Sequence, residues 1–107
     1  MDTVSSATAH VVTDAVGQIT TVSRLARQML APTGAERGRN LLDCFPDYRK
    51  ALLFDIDVAR AGWPTERSIR VPGGAGIPLR YRVSRLLPSG GLYWEFDMLN
   101  EQTRRSA

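Results

Sequence analysis

The alternation of apolar and polar positions predicts that the chain begins with two short strands. Residues 10–13 and 18–22 are rich in β-branched side chains, which favour strands. The four residues between them read Asp-Ala-Val-Gly. Because Asp bonds to nearby backbone groups and Gly tolerates positive φ, this D-x-x-G segment is expected to join the strands as a hairpin.

Helical spacing replaces the strand pattern in the middle of the chain. Ser23 is placed to cap a short helix over 24–30, and residues 41–46 form an apolar turn that ends at a proline. Asp47 is expected to cap a longer helix over 48–61. The side chains expected on the buried side of that helix are Leu52, Leu53, Ile56, Val58 and Ala59.

Strand patterns return in the last third of the chain, over 65–71, 79–83 and 92–99, with turns at 72–76 and 88–91. In the middle strand Leu79, Tyr81 and Val83 share one face, and Arg80 and Arg82 share the other. In the last strand one face is predicted to carry Leu92, Trp94, Phe96 and Met98. Strand blocks around a helical middle favour one α+β domain, in which helices cover one face of an antiparallel sheet.

Composition and charge fit one ordinary globular domain. The 107 residues are 43% hydrophobic and carry a formal charge of +3. No apolar run approaches the roughly 20 residues that a membrane helix needs, and the N-terminus lacks a signal-peptide pattern, so we expect a cytoplasmic domain without a membrane span. Acidic Glu66, Glu95 and Asp97 fall among the arginines of the predicted sheet, so direct nucleic-acid binding is not expected.

The chain contains a single cysteine, Cys44, and a single histidine, His10. An internal disulfide is therefore excluded, and a zinc site made by the protein alone is not expected. We expect Cys44 to be a buried thiol. The strand patterns turn charged side chains outward, so we predict no enzyme; a small α+β enzyme is the least favoured alternative.

Several stretches, taken in order, resemble a PAS domain. The first, VVTDAVGQITTVSRLARQML, is similar to the opening strand, D-x-x-G turn, second strand and short helix of that family. ERGRNLLDCFPDY resembles the middle segment, RAGWPTE the end of the long connecting helix, and GGLYWEFDMLNEQ the last strand and its exit. The resemblance implies a five-stranded antiparallel sheet in the order 2-1-5-4-3 with short helices on one face. It divides the chain into a tail at 1–9, a PAS domain at 10–100 and the start of a C-terminal connector helix at 101–107.

The same resemblance implies a sensory module of a larger, bacterial-type signalling protein, such as a histidine kinase or a transcription regulator. Such a domain binds a small ligand, pairs with a second copy, or does both, and passes the signal through its connector to an effector domain. The alternative is a ligand-free dimerisation module. A void among Ile56, Tyr81 and Trp94 would favour the sensor, whereas a filled core would favour the module.

Two cofactors known in the family are disfavoured by particular residues. Haem-binding PAS domains commonly use a histidine on the long helix, but residues 48–61 contain none and His10 lies at the start of the first strand. Covalent flavin chemistry requires a cysteine directly after a Gly-x-Asn stretch. Here Leu41 occupies that place, and Cys44 is three residues further on. No cofactor is assigned.

The candidate functional residues fall into three sets. Those that would line a small apolar ligand site, or equally fill the core, are Leu52, Ile56, Ile69, Tyr81, Val83, Trp94 and Phe96. The candidate homodimer contacts are Val12, Tyr93 and Leu99.

The candidates for signal output are Asp97, Leu99 and Asn100. Many PAS domains carry an Asp-Ile-Thr-like triplet at this place, where the sequence reads Met-Leu-Asn with the acidic residue one position earlier. Among the pocket candidates, Tyr81 and Trp94 have polar tips that need a partner when buried.

Overall fold

A computed structural model describes residues 9–73 and 76–99. Its five strands form one antiparallel sheet in the order β2-β1-β5-β4-β3, as predicted. They are β1 (Ala9–Thr13), β2 (Ile19–Val22), β3 (Thr65–Arg70), β4 (Pro78–Arg85) and β5 (Leu92–Met98). Between β2 and β3 come the helices α1 (Arg24–Met29), α2 (Leu41–Cys44) and α3 (Arg49–Arg60), with 3₁₀ turns at Ala31–Thr33 and Pro46–Tyr48.

The sheet has an inner face, packed against the helices, and an outer face. On β4, Tyr81 and Val83 are buried while Arg80 and Arg82 are exposed, as the alternation predicted. The inner side chains of β1 and β5 are all buried: Ala9, Val11, Thr13, Leu92, Trp94 and Phe96. Met98 has the inner-face parity but is 53% exposed at the last position of β5.

The D-x-x-G turn is held by its own aspartate. Asp14 Oδ1 accepts hydrogen bonds from the backbone N–H groups of Val16 (3.1 Å) and Gln18 (2.9 Å). Gly17 takes the left-handed conformation, with φ 97°, that glycine adopts without strain. Its carbonyl accepts from the Leu41 N–H at 2.8 Å. The hairpin is therefore tied to the start of α2 while β1 pairs with β5 in the centre of the sheet.

The predicted helix starts are half correct. Ser23 caps α1, because its Oγ accepts a hydrogen bond from the Ala26 N–H at 3.2 Å. The prediction that Asp47 caps the long helix is wrong. Asp47 lies inside the 3₁₀ turn that Pro46 begins, and Tyr48 precedes α3 without a side-chain cap.

Helix α3 buries one stripe of side chains. Leu52, Asp55, Ile56 and Ala59 recur at the i, i+3, i+4 and i+7 spacing of a single helical face, and all four are buried. The prediction that Leu53 belongs to this stripe is wrong: it is 44% exposed, because each residue turns the helix by about 100°. Val58 is only half-buried. The unexpected member of the stripe is an aspartate.

Candidate functional site

A buried carboxylate connects α3 to the inner face of the sheet. The Asp55 residue is 1% exposed. The guanidinium of Arg67 donates two hydrogen bonds to the Asp55 carboxylate, from Nε to Oδ2 at 2.7 Å and from Nη2 to Oδ1 at 2.9 Å. The Tyr81 hydroxyl donates to Oδ2, and the Thr65 hydroxyl donates to Oδ1 at 3.5 Å. This four-residue group, Asp55, Thr65, Arg67 and Tyr81, is called the Asp55 network below.

Strand register explains why Arg67 reaches the carboxylate. Arg67 of β3 pairs with Tyr81 of β4, so the two side chains leave the sheet on the same, inner side. Asp55 meets them from the buried stripe of α3. The prediction that the charges of the strands point outward therefore holds for Arg80 and Arg82 but fails for Arg67, whose side chain is 35% exposed.

The Asp55 network raises the pKa of two of its members, Tyr81 and Arg67. Burial, followed by the neighbouring Asp55 carboxylate, raises the pKa of the Tyr81 phenol above its ordinary value. The hydrogen bonds to Asp55 raise the pKa of Arg67. The phenol therefore remains a neutral donor to a carboxylate whose charge the guanidinium balances.

This shift predicts a loss of stability in alkali. The unfolded tyrosine releases its proton near pH 10.0, whereas the folded protein holds that of Tyr81 to higher pH. The contribution of the Tyr81 phenol to stability is complete below about pH 10. Above that pH it declines by about 1.4 kcal/mol per pH unit, until the folded protein also releases the proton. Urea unfolding between pH 9 and about pH 11 should show a steeper decline for the wild type than for Tyr81→Phe. Parallel declines would contradict the assignment. Burial also raises the pKa of Cys44, but that contribution is common to both proteins.

A second buried polar contact joins Trp94 of β5 to Thr13 of β1. Trp94, fully buried on β5, donates from Nε1 to the Thr13 hydroxyl at 3.0 Å. That hydroxyl donates in turn to the Asp14 carbonyl at 2.9 Å. The indole is thereby connected to the turn between β1 and β2. The two side chains with polar tips, Tyr81 and Trp94, thus both have partners within the protein.

The structure brings the seven pocket candidates together as contacting, buried side chains. None of the seven is more than 3% exposed. The Tyr81 ring lies 5.3 Å from the ring of Trp94 and 6.1 Å from that of Phe96, centroid to centroid, in the tilted arrangement that aromatic pairs prefer. Among the described residues, no buried side-chain nitrogen or oxygen lacks a hydrogen-bond partner. A 440 Å³ surface groove lies elsewhere, between the β1–β2 turn and the β4–β5 loop, and includes Val12, Asp14 and Ser89 in its wall.

The outer face divides into an apolar half and a charged half. Val12 pairs with Tyr93 across β1 and β5, and the Tyr93 ring stacks on His10 with centroids 5.6 Å apart. All three side chains are half-buried. Toward the other edge, acidic and basic residues alternate, and ion pairs join Arg80 to Asp97 (3.3 Å) and Arg82 to Glu66 (3.4 Å). Such exposed pairs add little stability but leave the face nearly neutral.

The predicted output residues lie partly outside the described chain. Asp97 is exposed and pairs with Arg80, while the Leu99 N–H donates to the Pro78 carbonyl at 3.1 Å. Leu99 therefore continues the pairing of β5 with β4 by one residue. Asn100 lies outside the described residues.

The thiol of Cys44 is buried, as predicted, and 2% of the residue is exposed. It donates to the Asn40 carbonyl at 3.6 Å, and burial raises its pKa.

Within residues 9–73 and 76–99, no three His, Cys, Asp or Glu side chains cluster as a metal site would require. None of the helices in this described part combines the length and apolar character needed to cross a membrane.

Comparison with solved structures identifies the fold. The PAS domain of the histidine kinase ThkA is 22% identical, with a TM-score of 0.58 over 84% of this chain and 97% of that one. The PAS domain of the Cronobacter turicensis quorum-sensing receptor RpfR, solved in complex with BDSF, is 19% identical, with a TM-score of 0.67 over 87% and 94%. A sensory box sensor histidine kinase from Vibrio cholerae is 15% identical, with a TM-score of 0.67 over 88% and 80%.

The chain therefore has the PAS fold, as its sequence motifs predicted. No protein-family model and no curated protein matches the sequence. The residue that sequence reasoning missed is Asp55. Its signal was present, because an aspartate stands three residues after Leu52 and four before Ala59, on the buried side of a helix whose neighbouring strand carries Arg67.

Proposed function

We propose that this chain is a signalling domain of a larger protein and acts as a homodimerisation module. The observation that carries this proposal is the packing of the core where a PAS ligand would bind. Tyr81 is in ring contact with Trp94 and bound to Asp55, while Trp94 is bound to Thr13. A ligand that entered here would have to displace a carboxylate from its guanidinium or an indole from its hydroxyl, and both exchanges cost free energy.

The outer face supplies the surface for pairing. Its apolar half, Val12, His10 and Tyr93, lies on the central strands, and its charged half carries nearly balanced charges. Two copies can bring such faces together without strong repulsion, and burial of the apolar half drives association. Leu99 has the same parity at the end of β5, beyond Glu95 and Asp97. A change at the interface would then reach Asp97, Leu99 and Asn100, and through them the connector and an effector domain.

A charge placed in the apolar half is expected to break the dimer. Val12→Glu would bring two unpaired carboxylates together at the interface. The dissociation constant of the dimer should rise at least tenfold, which corresponds to about 1.4 kcal/mol of association free energy. Val16→Glu is the matched control, because Val16 is 63% exposed on the β1–β2 turn. Sedimentation equilibrium would measure both. Equal dissociation constants for Val12→Glu and the wild type would contradict an interface on the outer face.

A ligand-binding sensor is the second candidate function. The apolar character of Leu52, Ile56, Ile69, Val83 and Phe96 favours it, because small-molecule sites are mostly apolar. The related fold of the RpfR domain was solved in complex with BDSF. If this chain binds a small apolar molecule between the sheet and the helices, the ligand should co-purify with the protein and raise its melting temperature. Extraction with organic solvent followed by mass spectrometry would identify it.

A further inference from the structure

Two exposed aromatic side chains lie on one side of α3, away from the sheet. Phe54 is 62% exposed and Trp63 is 69% exposed. After α3 ends, Gly62 (φ 103°) donates to the Ala59 carbonyl at 2.9 Å, and Trp63 donates to the Val58 carbonyl at 3.1 Å. This reversal returns Trp63 to the level of Val58, which stands one helical turn after Phe54.

These residues form an apolar strip that the core does not use. It consists of Phe54, Val58 and Trp63 and is called the α3 surface below. The buried stripe of the helix faces the sheet from the opposite side. Phe54 lies on α3 and Trp63 lies just beyond its end, and both are exposed. A contiguous exposed apolar patch of this kind usually marks an interaction site.

Positive charge flanks the strip at both ends. Lys50 precedes Phe54 by one helical turn, and Arg60 lies at the end of α3. Arg85 joins them from β4, since its Nη1 donates to the Arg60 carbonyl at 3.1 Å. Within the described part of the chain, no carboxylate lies within ion-pair distance of these three cations. Asp57 is the one acidic side chain on the outward side of α3, so three cations accompany one carboxylate.

We propose that the α3 surface docks an amphipathic helix of a partner protein, with acidic residues beside its apolar stripe. From Lys50 to Arg60 the surface is about 15 Å long, which matches roughly three turns of a partner helix. Leucines of that helix would pack between Phe54 and Trp63, and its carboxylates would meet the cations at either end. This surface lies across the molecule from the outer sheet face, so both could be occupied at once.

Charge argues against two other occupants. An anionic lipid surface would bring its phosphates against Asp57, in the middle of the strip, whereas a helix can place a neutral side chain there. A second copy of the chain would oppose two positively charged surfaces, and like charges brought together disfavour binding. A partner helix with a net negative charge avoids both costs.

Titration of the isotope-labelled domain with a synthetic helical peptide tests this proposal. The peptide has about 16 residues, with leucine at i, i+3, i+4 and i+7 and glutamate on the flanks. We expect saturable amide shift changes at residues 50–63 and 85, and a change in Trp63 fluorescence, since Trp94 is fully buried. Phe54→Ser should weaken binding about tenfold or more. Met98→Ser is the matched control, because Met98 is exposed on β5, away from this surface.

A charge exchange adds a second, independent readout. In Lys50→Glu/Arg60→Glu the preference should shift from the glutamate peptide to a peptide that carries lysine at the same positions. Unchanged circular dichroism would establish that each variant is folded. The proposal fails if the glutamate peptide does not bind saturably, if the lysine peptide binds the wild type equally well, or if the shifts fall on the outer sheet face. Binding to phosphatidylserine vesicles that depends on Phe54, without peptide binding, would assign the surface to a membrane instead.

Discussion

Arg67→Met is expected to lower the free energy of unfolding by about 3 to 5 kcal/mol, because it strands the Asp55 carboxylate in the core. Asp55 is 1% exposed and cannot turn to water, whereas the Arg67 side chain, 35% exposed, already reaches the surface. The loss would be a large fraction of the stability of a small domain. Urea unfolding followed by circular dichroism measures it.

Two further variants isolate the stranded charge as the cause. Arg82→Met removes an arginine of the next strand whose ion pair with Glu66 is exposed, and it should cost no more than about 1 kcal/mol. Asp55→Leu/Arg67→Met removes both charges and should be more stable than Arg67→Met alone, although the Tyr81 hydroxyl loses its acceptor. A double variant no more stable than Arg67→Met would contradict this explanation.

Trp94→Ala should cost about 3 to 5 kcal/mol, because the indole is fully enclosed and its removal leaves a cavity. Trp94→Phe keeps a ring in contact with Tyr81 but loses the hydrogen bond to Thr13, so a smaller loss of about 1 to 2 kcal/mol is expected. Urea unfolding would measure the loss in free energy of unfolding for both variants, and thermal unfolding would check it.

The matched control is on the same strand. Met98→Ala removes an exposed side chain and should change stability by no more than about 0.5 kcal/mol. The size of the Trp94 effect also separates the two proposed functions. If Trp94 lined an open ligand cavity, it would already lack contacts on one side, and Trp94→Ala would cost less than about 2 kcal/mol.

The fold could be predicted from local patterns. The structure confirms three features that depend on residues close in sequence. They are the alternation of buried and exposed side chains in β4, the D-x-x-G turn and the Ser23 cap. The strand order followed from the family resemblance, and the observed order agrees with it. The errors fall where local rules compete. At Asp47 a proline-led turn replaced a side-chain cap, and Leu53 lies a quarter turn away from the buried stripe.

The Asp55 network could not be predicted in the same way, because it depends on pairing across the fold. Asp55 lies 12 residues from Arg67 and 26 from Tyr81. A buried carboxylate is unfavourable until those partners are placed, so the position of Asp55 on the buried side of α3 does not by itself predict its burial. The contact between Trp94 and Thr13, 81 residues apart, has the same character. The need of both aromatic tips for partners was evident in the sequence, but the partners themselves were not.

Native mass spectrometry of the purified domain, together with its absorption spectrum, tests the central claim most directly. If the packed core is that of a dimerisation module, the protein will appear as a colourless dimer of the 11.8 kDa chain with no additional mass. A co-purified small molecule, or a haem or flavin absorption band, would contradict the packed core and establish a ligand sensor. A monomer at all concentrations would contradict pairing through the outer sheet face.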